Sequence, residues 1–156
     1  MYKNILFVCT GNSCRSPMAE GILKDMVKDL EIKVSSAGTS AIDGLPPSAN
    51  GVDVCRENGV DISDLRSSYL YEELMAEADL VLVMAEEHLE YIKRMYPKYY
   101  DKAYLLTKFG REHVKNMIEI DVYDPYGGEM GEYRETFEYI KKEIERIYPL
   151  IINNGQ

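Results

Sequence analysis

The chain has 156 residues, 46% of them hydrophobic, with 27 acidic against 18 basic side chains and a net charge of −9. That length suits one domain, 1–156, with a substantial core, and no apolar run approaches the roughly 20 residues that cross a bilayer. The acidic balance argues against nucleic acid or anionic membrane as the main partner, though a local positive cradle could still hold an anionic substrate. Three cysteines without paired spacing, and only two histidines (His88 and His113), argue against a disulfide framework and a zinc site. Residues 1–9 lack the plan of a secretory signal, so a cytoplasmic location is expected.

Taken in order, residues 3–9 read as a first strand and 17–30 as a helix with Met18, Ile22, Leu23, Met26, Val27 and Leu30 on one face. Residues 32–37 suit a second strand. The Gly/Pro-rich loop 43–47 leads into a helix near 48–58, closed by Gly59. A short helix at 71–77 precedes a buried strand, Leu80 to Met84, and a helix over 86–95 stops before Pro97. Residues 103–106 suit a fourth strand, and 110–129 is mostly loop. The last helix, 131–152, places Tyr133, Phe137, Ile140, Ile144, Ile147 and Ile151 toward the core, with Pro149 expected to kink or stop it. Alternation of this kind predicts an α/β three-layer sandwich: parallel strands, right-handed crossovers and helices on both faces. Ligands in such sheets sit at the carboxyl ends of strands where strand order reverses, and Cys9 ends strand one.

The segment Cys9-Thr10-Gly11-Asn12-Ser13-Cys14-Arg15-Ser16 lies between that strand and a helix start. A strand-loop-helix turn can aim successive N–H groups inward over the positive end of the helix, which makes an anion cradle. Arg15 adds a planar fork for two oxygens of a tetrahedral oxyanion. The same field is expected to lower the pKa of Cys9 and favour its nucleophilic thiolate. Gly11 and Asn12 allow the backbone a tight loop requires, while Ser16 and Pro17 read as N-cap and first helical residue. Together these point to a phosphatase-type site working through a cysteinyl-phosphate.

A thiolate attack on phosphorus also needs a proton for the leaving atom and a base for the hydrolytic water. Asp124, whose backbone Pro125 restricts to extended geometry, is a candidate for both, although Asp-Pro-Tyr-Gly-Gly by itself reads as an ordinary turn. Glu119 and Asp121 read as solvated loop carboxylates, and no metal is expected. Cys14 reads either as a small packed residue or as the partner that captures an oxidised Cys9 in a disulfide.

The stretch Val8 to Glu20 (VCTGNSCRSPMAE) and the later Asp124-Pro125-Tyr126 resemble the low-molecular-weight protein tyrosine phosphatase family, over essentially the whole chain. The resemblance implies a four-stranded parallel sheet and a cysteine-dependent phosphoprotein phosphatase without a cofactor. Its partners would be phosphorylated proteins and phosphate or other oxyanions. Cys9, Arg15 and Asp124 would be catalytic, and Thr10, Gly11, Asn12, Ser13, Cys14 and Ser16 would bind phosphate. Ser16 would also hydrogen-bond the Cys9 thiolate, Ser36 would partner Asn12, and Tyr126 would line the pocket. The family's usual histidine in this supporting network would fall near Asp64, where this chain departs.

Ser13 stands where tyrosine-directed members carry a larger aliphatic residue and the protein arginine phosphatase branch carries threonine. Small and polar, Ser13 leans toward that branch without matching it. Phosphotyrosine is the first expected substrate because it is the broad activity of the family, and phosphoarginine is the alternative. Arsenate reductases of this fold share the loop but need two further cysteines, and only Cys55 lies beyond it. A non-catalytic phosphate-binding module would need neither Cys9 nor Asp124.

Overall fold

Short apolar runs bounded by turns build the sheet, and a computed structural model describes residues 1–153. The strands are β1 (Asn4–Cys9), β2 (Lys33–Gly38), β3 (Leu80–Val83) and β4 (Ala103–Leu105). All pair in parallel in the order β2-β1-β3-β4. The helices are α1 (Arg15–Met26), α2 (Ala49–Glu57), α3 (Glu72–Glu77), α4 (Glu86–Met95) and α5 (Met130–Ile152), with a 3₁₀ segment at Pro97–Lys102.

Alternate residues of β1 serve opposite layers. Ile5, Phe7 and Cys9 pack with α1, α2 and α5 through Met18, Leu23, Val54, Phe137 and Ile144. Leu6 and Val8 pack with α3 and α4 through Met75 and Ile92. Each fully buried side chain of this kind contributes roughly 1.5–3 kcal/mol. The expected three-layer α/β sandwich is therefore what the chain forms. The order reverses between β1 and β3, so the carboxyl end of β1 opens at the switch point.

Three local expectations are corrected. Helix α1 begins at Arg15, two residues early, with Cys14 as N-cap and no side-chain cap. Ser16 fails to cap because its hydroxyl is drawn to the Cys9 sulfur at 2.8 Å. The same helix ends at Met26 rather than residue 30. Val27 is still buried, but Lys28 and Asp29 have no apolar surface to cover, and Leu30 is exposed as the chain turns toward β2. Pro149 does not stop α5, which continues to Ile152. It removes a single N–H donor in the last turn, and buried Ile147 and Ile151 on either side hold that turn to the core. No helix among the described residues is long and apolar enough to cross a membrane.

Candidate active site

Strand β1 delivers Cys9, residues 10–14 turn, and α1 starts directly after them. Asn12 adopts the left-handed conformation (φ 52°). Gly11 does not need positive φ, contrary to expectation, and a Cβ there would meet nothing nearer than the Ser13 hydroxyl at 3.8 Å. The glycine that sterics require is Gly38 at the end of β2. A Cβ on it would lie 2.4 Å from the Thr10 carbonyl and 2.9 Å from the Asn12 nitrogen. Close packing of β2 against the loop thus fixes its shape.

The Asn12 side chain braces the loop from within. Its Oδ1 accepts the Ser68 N–H at 2.9 Å, which directs both Nδ2 protons to Ser16 Oγ (2.8 Å) and Ser36 Oγ (2.9 Å). Ser36 donates onward to Glu20 at 2.6 Å, and Lys24 pairs with Glu20 at 2.5 Å. The Ser16 oxygen accepts from Asn12 and also meets the Cys9 sulfur, to which its hydroxyl donates when Cys9 is the thiolate. Asp64 is exposed. Ser68 and Glu20 complete the network in its place. Glu20 was missed in the sequence reading, although its i+4 spacing from Ser16 places both on one helix face.

Cys9 is 2% exposed. Its sulfur takes the Asn12 N–H at 3.3 Å as well as Ser16. Burial pushes the Cys9 thiol pKa up, and Ser16, Arg15 and the Asn12 amide pull it back only in part. The expected net lowering is therefore not met: the sulfur sits too deep. Because the Ser16 hydroxyl favours the charged form, its loss should raise the pKa further. In Ser16→Ala, the pH midpoint of iodoacetamide alkylation at Cys9 is expected to move up by about one pH unit, the worth of one hydrogen bond to a charged group. An unchanged midpoint would mean that Ser16 gives the thiolate nothing.

Arg15 is 5% exposed and enters the site from α1. One nitrogen (Nη1) donates to the Val122 carbonyl at 3.1 Å, and the other (Nη2) reaches Thr10 Oγ1 at 3.4 Å and Asp124 Oδ2 at 3.5 Å. Asp124 Oδ1 accepts the Tyr126 N–H at 3.1 Å. A turn then closes from the Gly128 N–H to the Pro125 carbonyl at 2.8 Å, with Gly127 at φ 81° where a side chain would be strained. Thr10 also contacts His88 and Glu87 of α4, at 2.8 and 3.1 Å. These residues open on a pocket of about 300 Å³ lined by Cys9, Thr10, Gly11, Ser13, Cys14, Arg15, Asp124 and Tyr126, with Ser40, Ala41, Ile42 and Leu45 opposite. That last wall, from the loop after β2, was not anticipated.

Cys14 contributes to the pocket, but its sulfur is tied inward to Ser48 Oγ and Tyr133 Oη, both at 3.3 Å. Cys55 is wholly buried on α2, and burial alone pushes its thiol up to about 12. Asp121 accepts the Glu86 N–H at the start of α4. Among the described residues no three His, Cys, Asp or Glu gather as a metal site. A larger groove of about 580 Å³, with Glu86, Glu119, Asp121, Glu135 and Tyr139 in its lining, is lined by no cysteine, serine or histidine.

The sequence model of the family described as low molecular weight phosphotyrosine protein phosphatase matches residues 4–154. The chain belongs to that family. Among low molecular weight phosphatases, it is 33% identical over 151 residues to a probable protein-tyrosine-phosphatase, EpsP, of Ralstonia nicotianae, covering 97% of each chain. It is 36% identical over 146 residues to the protein-arginine-phosphatase of Bacillus subtilis, covering 92% of this chain and 93% of that one. A solved low molecular weight protein tyrosine phosphatase from T. tengcongensis superposes with a TM-score of 0.87 at 41% identity, covering 95% and 99%. The YwlE arginine phosphatase, as a cysteine-to-serine mutant with a phosphorylated active-site serine, superposes with a TM-score of 0.89 at 32% identity, covering 97% of each.

Proposed function

We propose that this phosphatase hydrolyses phosphotyrosine in protein substrates, with Cys9 as nucleophile, Arg15 as oxyanion clamp and Asp124 as acid and then base. The observation that carries the reading is Cys9 at 2.8 Å from Ser16 under a loop flanked by the buried Arg15. Cys9 attacks as the thiolate, its proton given up to solvent beforehand. The sulfur forms a bond to phosphorus as the bond to the leaving oxygen breaks, and protonated Asp124 gives its proton to that oxygen. In the second half, Asp124 takes a proton from water as water attacks phosphorus, and the sulfur–phosphorus bond breaks to release phosphate. Backbone N–H groups of the loop after Cys9, of which that of Asn12 points at the sulfur, and the Arg15 fork stabilise charge on the phosphoryl oxygens. The Arg15 contact to Asp124 is long, at 3.5 Å, and to a half-exposed partner, so an oxyanion can replace it at small cost. A cytoplasmic location fits this reading.

Exposed Tyr126, Ile42 and Leu45 give the mouth apolar surface suited to a phenol ring. One observation favours phosphoarginine as a second reading: Ser13 is small and polar, and it lines the pocket. Initial rates on matched phosphotyrosine and phosphoarginine peptides decide between them. Faster phosphotyrosine turnover is expected. Faster phosphoarginine turnover, kept in Ser13→Thr, would establish the second reading. Turnover of neither would remove both.

A further inference from the structure

His88 takes no part in the chemistry above, yet it is 1% exposed on the first turn of α4. Its Nδ1 accepts the Ala85 N–H at 3.1 Å, so a neutral ring carries its proton on Nε2. That nitrogen lies 2.8 Å from Thr10 Oγ1. The threonine hydroxyl then has every position filled. It accepts from His88 Nε2, accepts from Arg15 Nη2 at 3.4 Å, and donates its only proton to Glu87 Oε1 at 3.1 Å.

This junction joins elements on opposite faces of the sheet. Arg15 comes from α1, which packs with Ile5 and Phe7, whereas α4 packs with Leu6 and Val8. Thr10 is the loop side chain that both helices touch. An arginine fork specifies an oxyanion only when its plane is fixed. Here Val122 O fixes Nη1, and Thr10 together with Asp124 fixes Nη2. Asp124 is half-exposed and its acid–base work requires freedom to move, which leaves Thr10 as the steady anchor.

We propose that His88 is a positioning residue which, by orienting the Thr10 hydroxyl, sets the plane of the Arg15 guanidinium and thereby the affinity of the loop for a phosphoryl group. The proposal rests on Arg15 being the oxyanion clamp. Burial, and then the charge of Arg15, push the His88 pKa down to about 4, so the neutral ring required here is the form present at neutral pH.

Two substitutions separate this role from simple support of α4. Asparagine can reproduce the Nδ1 acceptor for Ala85 but cannot reach Thr10. Glutamine can place an N–H near the Nε2 position. His88→Asn should melt within a few degrees of wild type yet bind inorganic phosphate about tenfold more weakly, the worth of one charge-assisted hydrogen bond. Its kcat/KM on p-nitrophenyl phosphate should fall in parallel, and His88→Gln should stay within about threefold of wild type in both. Thr10→Val should weaken phosphate as much as His88→Asn, and combining the two should add less than about twofold. Calorimetric titration reads phosphate affinity directly, so a wrong choice of phosphorylated substrate leaves the test intact.

Wild-type phosphate affinity in His88→Asn overturns the proposal. So does His88→Gln behaving no better than asparagine, or additive losses in the double variant. If neither His88 variant folds, Thr10→Val decides alone, and wild-type phosphate affinity there overturns it.

Discussion

Replacing Cys9 by serine is expected to abolish turnover, lowering kcat by on the order of 10⁵-fold or more, as loss of a nucleophile that works as part of a unit does. A serine hydroxyl ionises far less readily than a thiol, and nothing near Cys9 is placed to deprotonate it. Ser16 is a donor here and already accepts from Asn12. The substitution should leave the fold and the loop intact. The smaller oxygen can still meet the Asn12 N–H and the Ser16 hydroxyl that the sulfur contacts. Phosphate affinity by calorimetry should therefore remain within about threefold of wild type while p-nitrophenyl phosphate hydrolysis disappears. Intact-protein mass spectrometry of Cys9→Ser incubated with substrate should show slow gain of one phosphoryl group. More than about a hundredth of wild-type kcat in this variant would remove Cys9 from the nucleophile role.

The legible part of the site was the part that is local. Cys9 to Ser16 holds the proposed nucleophile, the loop amides and the guanidinium in eight consecutive residues, and a strand-loop-helix context is enough to fold them together. Asp124 stood out only through the resemblance of Asp-Pro-Tyr to the family's second hallmark, since Asp-Pro-Tyr-Gly-Gly by itself reads as an ordinary turn, here with Asp124 Oδ1 on the Tyr126 N–H and Gly127 at positive φ. What escaped is non-local. Ser68 reaches Asn12 across 56 positions and His88 reaches Thr10 across 78, and neither pairing leaves a periodic trace in the chain. The misplaced start of α1 has a single cause: Ser16 carries the composition of a cap but donates its hydroxyl to Cys9. The expected acid shift of the thiol failed similarly. Motif geometry supplies the donors, but how deeply β1 buries the sulfur is a property of the packed sheet.

Arg15→Lys should separate the charge of the clamp from its shape, and we expect kcat/KM to fall by about 10³-fold, the upper range for losing one preorganised oxyanion donor set. Arginine spans two walls of the site: Nη1 on the Val122 carbonyl, and Nη2 between Thr10 and Asp124. A lysine ammonium is a single point and cannot hold Val122 while presenting two parallel donors to a phosphoryl group. The positive charge remains, however, and the Coulombic help that Arg15 gives the Cys9 thiolate should largely survive. Iodoacetamide should thus alkylate Cys9 in Arg15→Lys with a pH midpoint near wild type, even as phosphate binding and turnover collapse. Arg15→Ala loses both effects, and its midpoint should move to higher pH because burial is then opposed only by the hydrogen bonds from Ser16 and Asn12. A lysine variant within about tenfold of wild-type kcat/KM would show that charge suffices. The fixed plane argued for His88 and Thr10 would then have nothing to act on, so this one substitution tests the geometric reading of the whole loop.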